Sequence, residues 1–294
     1  MVLVVVVAAL VGCDRRLDSD PAPNAVSSIT FRRALEVDSE GPVDEAASTP
    51  ATNPTGVFTL RGKFTISGAP SDNPLQTISR DNATCAPGGR PVYDRQLVVT
   101  PPADGGGIAS VLIFADGIPD SWVHESAKPG KTDEVIFDQK ECVFLNRLTA
   151  MQTTQKLKIL NSDPVGHNTN LSPRFNSSFD QTIASRSFAT YQPQLEEKEP
   201  FPVRCAIHSW MLSWVITRDN SYFAVSASDG TFEIPNLPAG VEIKFRVWHE
   251  RCRFVPKVVV GGESQSWSKG RFTLHMDPDT THEMDVVIDS SVLQ

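Results

Sequence analysis

The chain has 294 residues, enough for one large domain or two modest ones, and its 40% hydrophobic content supplies a packed core and excludes disorder of the whole chain. A net charge of -8, with no Lys/Arg run longer than a pair, excludes an electrostatic footprint for nucleic acid or an anionic lipid surface and fits a neutral or basic protein partner better. With 18 Gly and 22 Pro set against few long helix-type stretches, the composition points to strands and turns.

The first element is an apolar run from Val2 to Val11, of signal-peptide length and far short of the ~20 residues that span a bilayer. It ends in Leu10-Val11-Gly12-Cys13, which resembles the bacterial lipobox. That resemblance implies cleavage before Cys13, lipidation of Cys13, and a chain exported to the bacterial cell envelope, held there by its lipid anchor. Each buried methylene of such an anchor adds about 0.8 kcal/mol of membrane affinity. From Asp14 to Gly56 the chain is rich in Ser, Thr, Asp, Glu, Pro and Ala without a sustained apolar period, so residues 13–56 read as a tether.

Ordered structure is expected from Val57, where Val57 to Ile66 alternates as a strand and ends in the turn Ser67-Gly68-Ala69-Pro70. Further strands are expected at Gln96 to Thr100, Ser110 to Ala115, Glu134 to Phe137, Lys156 to Leu160, Leu212 to Thr217, Thr231 to Ile234, Glu242 to His249 and Val255 to Val260. Many short strands punctuated by Gly and Pro argue for an all-β fold, a β-sandwich. After Thr217 the style changes. The stretch Phe223 to Gly240 resembles the signature of carboxypeptidase-regulatory-like modules, with Asp229-Gly230 as a hairpin turn and Leu237-Pro238-Ala239-Gly240 as a second turn. In that module Leu60 to Phe64 would serve as the opening strand and make the intervening segment an insertion. The simpler tandem order puts one domain at 57–217 and a second, small β-sandwich-like segment at 218–294.

The chemistry concentrates in Cys205-Ala206-Ile207-His208-Ser209-Trp210-Met211. Cys, His and Met at this spacing converge if a strand ends at Cys205 and a tight loop returns His208 and Met211 over the same point. A soft thiolate, imidazoles and a weak thioether together suit copper, whereas zinc sites seldom recruit Met. The best fourth ligand is His167, in Asn161-Ser162-Asp163-Pro164-Val165-Gly166-His167-Asn168, directly after the apolar strand at Lys156 to Leu160. These residues resemble the cupredoxins, the small Greek-key blue-copper proteins, and amicyanin and plastocyanin in particular. The spacing Cys205, His208, Met211 has the amicyanin form, and His167 precedes Cys205 by a matching separation. Together with Asp138-Gln139-Lys140, Cys142, Phe144 and Trp248-His249-Glu250, they also resemble bacterial plastocyanin-like proteins labelled as methylamine utilisation proteins, over most of residues 57–260.

The resemblance implies one type 1 copper held by His167, Cys205, His208 and Met211, with Asn168 orienting the ligand loop from behind. It implies an electron carrier whose ligand at the position of His208 reaches the surface through an apolar patch where redox partners dock. Trp210 belongs either to that patch or to a buried position beside the site. A copper-storage protein or a metal-free surface-interaction module is the alternative, with Asn176, Phe179 and Tyr191 available for recognition. No Gly-x-Ser-x-Gly elbow, His-Glu-x-x-His or phosphate-binding Gly loop occurs, so the sequence offers no case for an enzyme. With Cys13 lipidated and Cys205 on the metal, Cys85, Cys142 and Cys252 remain for one disulfide and one free thiol. The placement of Cys85 before the strand at Gln96, and of Cys142 just before Phe144, favours Cys85–Cys142. His249 and Cys252 form a second His-x2-Cys pair that reads as strand-edge residues, and His124, His275 and His282 read as surface.

Overall fold

The structure, a computed structural model, describes residues 53–128 and 133–294. The signal segment, Cys13 and the tether up to residue 52 lie outside the described residues. The described chain is all-β, its strands arranged in four sheets, and its one α-helix spans only Asn82–Cys85. Among the described residues no helix is long and apolar enough to cross a membrane.

Strand Gly56–Ser67 forms early in the chain because Phe58, Leu60 and Phe64 fall on one face of it. It pairs antiparallel with Thr231–Ala239 and parallel with Val286–Asp289. Phe58 and Leu60 lie opposite Leu237 and Ile234, with a register shift between the two pairs. Gly62 permits a close approach: a Cβ there would stand 2.0 Å from the carbonyl oxygen of Met284. A second sheet runs Phe223–Val225, Leu112–Asp116, Glu242–His249, with Arg271–His275 beyond. Phe64, Ile113, Ile243, Phe245, Val247, Val286 and Ile288 from these two sheets are buried in one core.

The remaining two sheets come from the middle of the chain. One orders Leu148–Gln152, Leu212–Arg218, Phe201–Arg204, His167–Leu171 and Phe179–Ile183; the other orders Val143–Phe144, Glu134–Lys140, Lys156–Asn161 and Phe188–Tyr191. Their shared core holds Phe137, Leu157, Ile159, Leu171, Val203 and Val215. In Lys156-Leu157-Lys158-Ile159 the two apolar side chains are wholly buried, each contributing roughly 1.5–3 kcal/mol relative to exposure.

Strand alternation also joins the two cores. Within Leu112–Asp116, Ile113 and Ala115 enter the first core, while Leu112 and Phe114 face the other way and pack with Leu148, Ile216 and Trp248. A buried ion pair crosses the same region. Arg147 Nε and Nη2 donate to the two carboxylate oxygens of Glu250 at 2.5 and 2.7 Å, Arg147 Nη1 donates to the Leu212 carbonyl, and Trp214 Nε1 donates to Glu250.

Three sequence expectations change. The boundary expected at residue 217 cuts across strand pairing, because Gly56–Ser67 finds its partners after residue 230; the middle segment is enclosed between strands of the first core. Alternation identified the strand, and only the likeness of Phe223 to Gly240 to a module that Leu60 to Phe64 would open pointed across the intervening chain. Gln96 to Thr100 forms no extended strand, only an isolated bridge from Val99 to Ile108, and Pro101-Pro102 cannot donate to a ladder. Leu237, Pro238 and Ala239 remain in the strand, and Gly240, at φ +73°, makes the turn into Glu242–His249.

The two kinds of ion pair predict different mutational costs. Glu250→Gln leaves the Arg147 guanidinium, whose side chain is only 9% exposed, with Asp94 as its remaining carboxylate and without its bidentate partner, and should destabilise by about 1–3 kcal/mol. Glu283→Gln breaks an exposed pair with Arg61 and should cost about 0–1 kcal/mol. Urea unfolding of both variants checks this.

Candidate metal centre

The site forms where one hairpin meets one strand. Phe201–Arg204 pairs antiparallel with Leu212–Arg218, Arg204 opposite Leu212, so residues 205–211 are the connecting loop. Two bonds close it: the Met211 amide donates to the His208 carbonyl at 2.9 Å, and the Cys205 amide donates to the Met211 carbonyl at 3.4 Å. On its other edge Phe201–Arg204 pairs with His167–Leu171, Arg204 opposite Asn170. This register brings His167 and Asn168 alongside Cys205, across 38 intervening steps of chain.

His167 Nδ1 and His208 Nδ1 stand 2.9 Å apart, and Cys205 Sγ lies 3.8 Å from His208 Nδ1. Both imidazoles are fully buried, and Cys205 and Met211 are nearly so. Each outer ring nitrogen meets a carboxylate: His167 Nε2 is 2.7 Å from Asp163 Oδ2, and His208 Nε2 is 2.9 Å from Asp81 Oδ2. A carboxylate on the far nitrogen fixes ring orientation and raises the basicity of the near one. The Cys205 sulfur accepts the backbone amides of Asn168 and His208, both at 3.3 Å. Asn168 ties the strand to the loop: its Oδ1 accepts the Ala206 amide, and its Nδ2 donates to Asp180.

The electrostatics favour a thiolate. Burial pushes the Cys205 thiol up, but the hydrogen bond from His167 and the amides of His208, Asn168 and Ile207 outweigh it and hold the thiol below its ordinary value. Burial opposes protonation of His167, yet its bonds to Cys205 and Asp163 hold it above the usual imidazole range. His208 lies below that range, because burial, with the charge of His167, exceeds the pull of Asp81.

Three clusters of possible metal-binding side chains occur among the described residues, and two of them include Cys85 or Cys142. Those two cysteines are joined as a disulfide, with Cα atoms 4.9 Å apart, and cannot serve as thiolates. The remaining cluster is His167, Cys205 and His208, whose donor atoms lie within 4.8 Å of one another. Two imidazoles and a low-lying thiol, with a methionine at the end of the same loop, suit copper on donor chemistry.

Asp163 and Asp81 were given no role from sequence. Asp163 also accepts the amides of Glu141 and Cys142 at 2.7 and 2.8 Å, linking His167 to the disulfide. Its signal was its place four residues before His167. Trp210 is half-buried, its ring edge-on to His208 at 5.1 Å, and its Nε1 donates to the Cys142 carbonyl. Asn176, Phe179 and Tyr191 are buried rather than displayed: Phe179 packs on Tyr191, and Asn176 bonds to Glu197. His208 does not reach the surface as the cupredoxin resemblance implied. Asp81, brought from far earlier in the chain, covers its outer edge.

The sequence matches no family model and no curated protein. Searches of solved structures return cupredoxins at low similarity. A mutant amicyanin in its Cu(I) form matches over 31% of this chain and 95% of its own, at 8% identity and TM-score 0.27. Amicyanin from Paracoccus versutus matches over 36% and 97%, at 15% identity and TM-score 0.26. A copper-containing nitrite reductase from Thermus scotoductus SA-01 matches over 29% of this chain and only 22% of its own length, at 10% identity and TM-score 0.27.

The second His-x2-Cys pair does not join the cluster. Cys252 is free and half-buried, and burial pushes its thiol up to about 12. His249 is almost wholly buried, and its Nε2 has no hydrogen-bond partner among the described residues. Burial, followed by the charges of Arg251 and Arg147, lowers it to about 3. An unfolded histidine titrates near 6.5, so between those values the unfolded chain binds a proton that the folded chain excludes. Stability contributed by His249 is therefore present above pH ~6.5 and is lost as pH falls toward ~3. His249→Gln should flatten this dependence by up to about 1.4 kcal/mol per pH unit, measured by chemical unfolding between pH ~7 and ~5.

Proposed function

We propose that this chain is an exported, lipid-anchored type 1 copper protein that carries electrons at the bacterial cell envelope. The convergence of His167 Nδ1, His208 Nδ1 and a hydrogen-bonded Cys205 sulfur in a buried pocket carries this reading. His167, Cys205 and His208 would hold the metal, with Met211 as the weak fourth donor. Copper supplies one-electron exchange between Cu(I) and Cu(II) when bound. The rest is the work of the chain. Asp163 and Asp81 point both inner nitrogens at the same place, the two amides on Cys205 spread the thiolate charge, and the enclosing core excludes water that would otherwise favour a wetter coordination. A rigid pocket of this kind limits rearrangement when the charge at its centre changes.

Export is supported by the Leu10-Val11-Gly12-Cys13 sequence and by the Cys85–Cys142 disulfide, which suits an oxidising compartment. The acidic chain fits a redox partner with a basic docking face through a small, short-lived interface. One observation favours the storage or delivery reading instead: His208 is closed off from solvent.

Adding Cu(II) to the purified protein separates the two. An electron carrier shows an intense blue thiolate-to-Cu(II) band that ascorbate bleaches and that Cys205→Ala abolishes. Met211→Gln should keep the colour and lower the reduction potential, since a harder oxygen donor favours Cu(II). A colourless protein with full copper occupancy would sink the carrier and leave storage. Globomycin-sensitive processing and a lipid mass on the Cys13 peptide test the anchor.

A further inference from the structure

His208 occupies a hairpin loop, a position that ordinarily meets solvent, yet none of its surface is exposed. Its outer nitrogen meets Asp81, whose own side chain is 37% exposed. Asp81 therefore stands at the boundary between the site and the solvent. It arrives from 127 residues away, on a segment that precedes every strand of the sandwich holding the site. That segment has little regular structure: between Ser67 and Leu112 it makes isolated bridges, such as Leu75 to Tyr93, and short helical turns.

What fixes Asp81 is local and covalent. Its backbone is left-handed, φ 51° and ψ 34°, a conformation that Asp tolerates better than most residues. Its carbonyl accepts the amides of Thr84 and Cys85 at 2.8 and 2.9 Å. The short helix then ends at Cys85, which is disulfide-bonded to Cys142. Cys142 is anchored in turn to the site, by its amide on Asp163 and its carbonyl on Trp210. Sulfur atoms of the disulfide lie within 4.8 Å of a ring nitrogen of His208.

We propose that the segment carrying Asp81, anchored by the Cys85–Cys142 disulfide, is a cap that closes the outer face of His208, so that reagents reach this imidazole, and metal leaves it, only when Asp81 lifts away. The metal part rests on the copper reading above; the closure of His208 does not. A loop with few ladder bonds opens locally at low free energy, while the disulfide keeps it from leaving altogether.

The test begins without metal. Diethyl pyrocarbonate modifies accessible imidazoles, and peptide mass mapping reads each histidine separately. In the metal-free protein, exposed His124 and His275 should react quickly, and His167 and His208 slowly. Asp81→Gly suits the positive φ and removes the carboxylate; it should speed labelling of His208 by about tenfold or more while His167 stays protected, the factor expected when one charged hydrogen bond is lost. Asp81→Asn should restore most of the protection. The Cys85→Ala/Cys142→Ala pair, which leaves Asp81 in place, should also speed labelling of His208. His167 protection reports that each variant is folded. Labelling of His208 in the unaltered protein as fast as His275, or unchanged slow labelling in a folded Asp81→Gly or disulfide-free variant, overturns the cap. With copper bound, transfer to a Cu(I) chelator should be faster in Asp81→Gly than in the unaltered protein. A chain that takes up no copper overturns the copper reading, and the labelling result then decides the cap alone.

Discussion

The Asp163 carboxylate holds together three parts of the molecule: a histidine four residues on, a turn about twenty residues earlier, and the disulfide that this turn carries. One oxygen meets His167 Nε2, and the pair of oxygens accepts the amides of Glu141 and Cys142, so a single buried carboxylate orients His167, closes a turn and supports the disulfide. A buried carboxylate left unpaired is expensive, and one satisfied on every side becomes a rigid pivot. Asn161 secures the same turn, donating to the carbonyls of Val165, Ile183 and Ala184 while accepting the Asp163 amide. The polar residues around the site thus act as structure before they act as chemistry, and the cluster of nitrogen and sulfur atoms inherits its geometry from them.

Around this pivot the two cores share a wall. Leu112, Phe114 and Trp248 on one side and Leu148 and Ile216 on the other seal the region between the sheets, and the Arg147–Glu250 pair lies in the same seam with Trp214 donating to it. Asp94 adds a second carboxylate to Arg147 from the segment that also carries Asp81. Arg147 therefore touches the seam, the segment that carries Asp81 and, through the Leu212 carbonyl, the residue immediately after the loop 205–211.

The sequence made some of this legible and hid the rest for physical reasons. Glu242–His249 and Lys156–Asn161 stand out because their apolar residues alternate over several positions. Strand His167–Leu171 does not: Asn168, Thr169 and Asn170 are polar, and Asn168 and Thr169 are buried because side-chain hydrogen bonds to Asp180 and Gln139 replace hydrophobic contact. The close spacing of Cys205, His208 and Met211 identified the loop, since a short loop must bring its own residues together. Asp163 was visible only as a neighbour of His167, and Asp81 not at all, because no local pattern reports a partner 127 residues away. The alternation in Gly56–Ser67 was likewise silent on its partner, and only the likeness of Phe223 to Gly240 to a module opened by Leu60 to Phe64 pointed to it. Alternation shows that a strand has a buried face and is silent on what covers it.

That long-range pairing sets an order of events as the chain is made. The sheets around the candidate site draw their strands from a continuous stretch, residues 134–218, and can assemble once that stretch has emerged. Gly56–Ser67, made first, must wait for Thr231–Ala239 and Val286–Asp289, made last, with the loop-closure entropy of the whole intervening chain set against it. Until then its apolar face and both its edges stand open, an invitation to mispairing with another nascent copy. Compaction of the middle shortens the distance those ends must search, so early assembly of the inner sandwich protects the outer one.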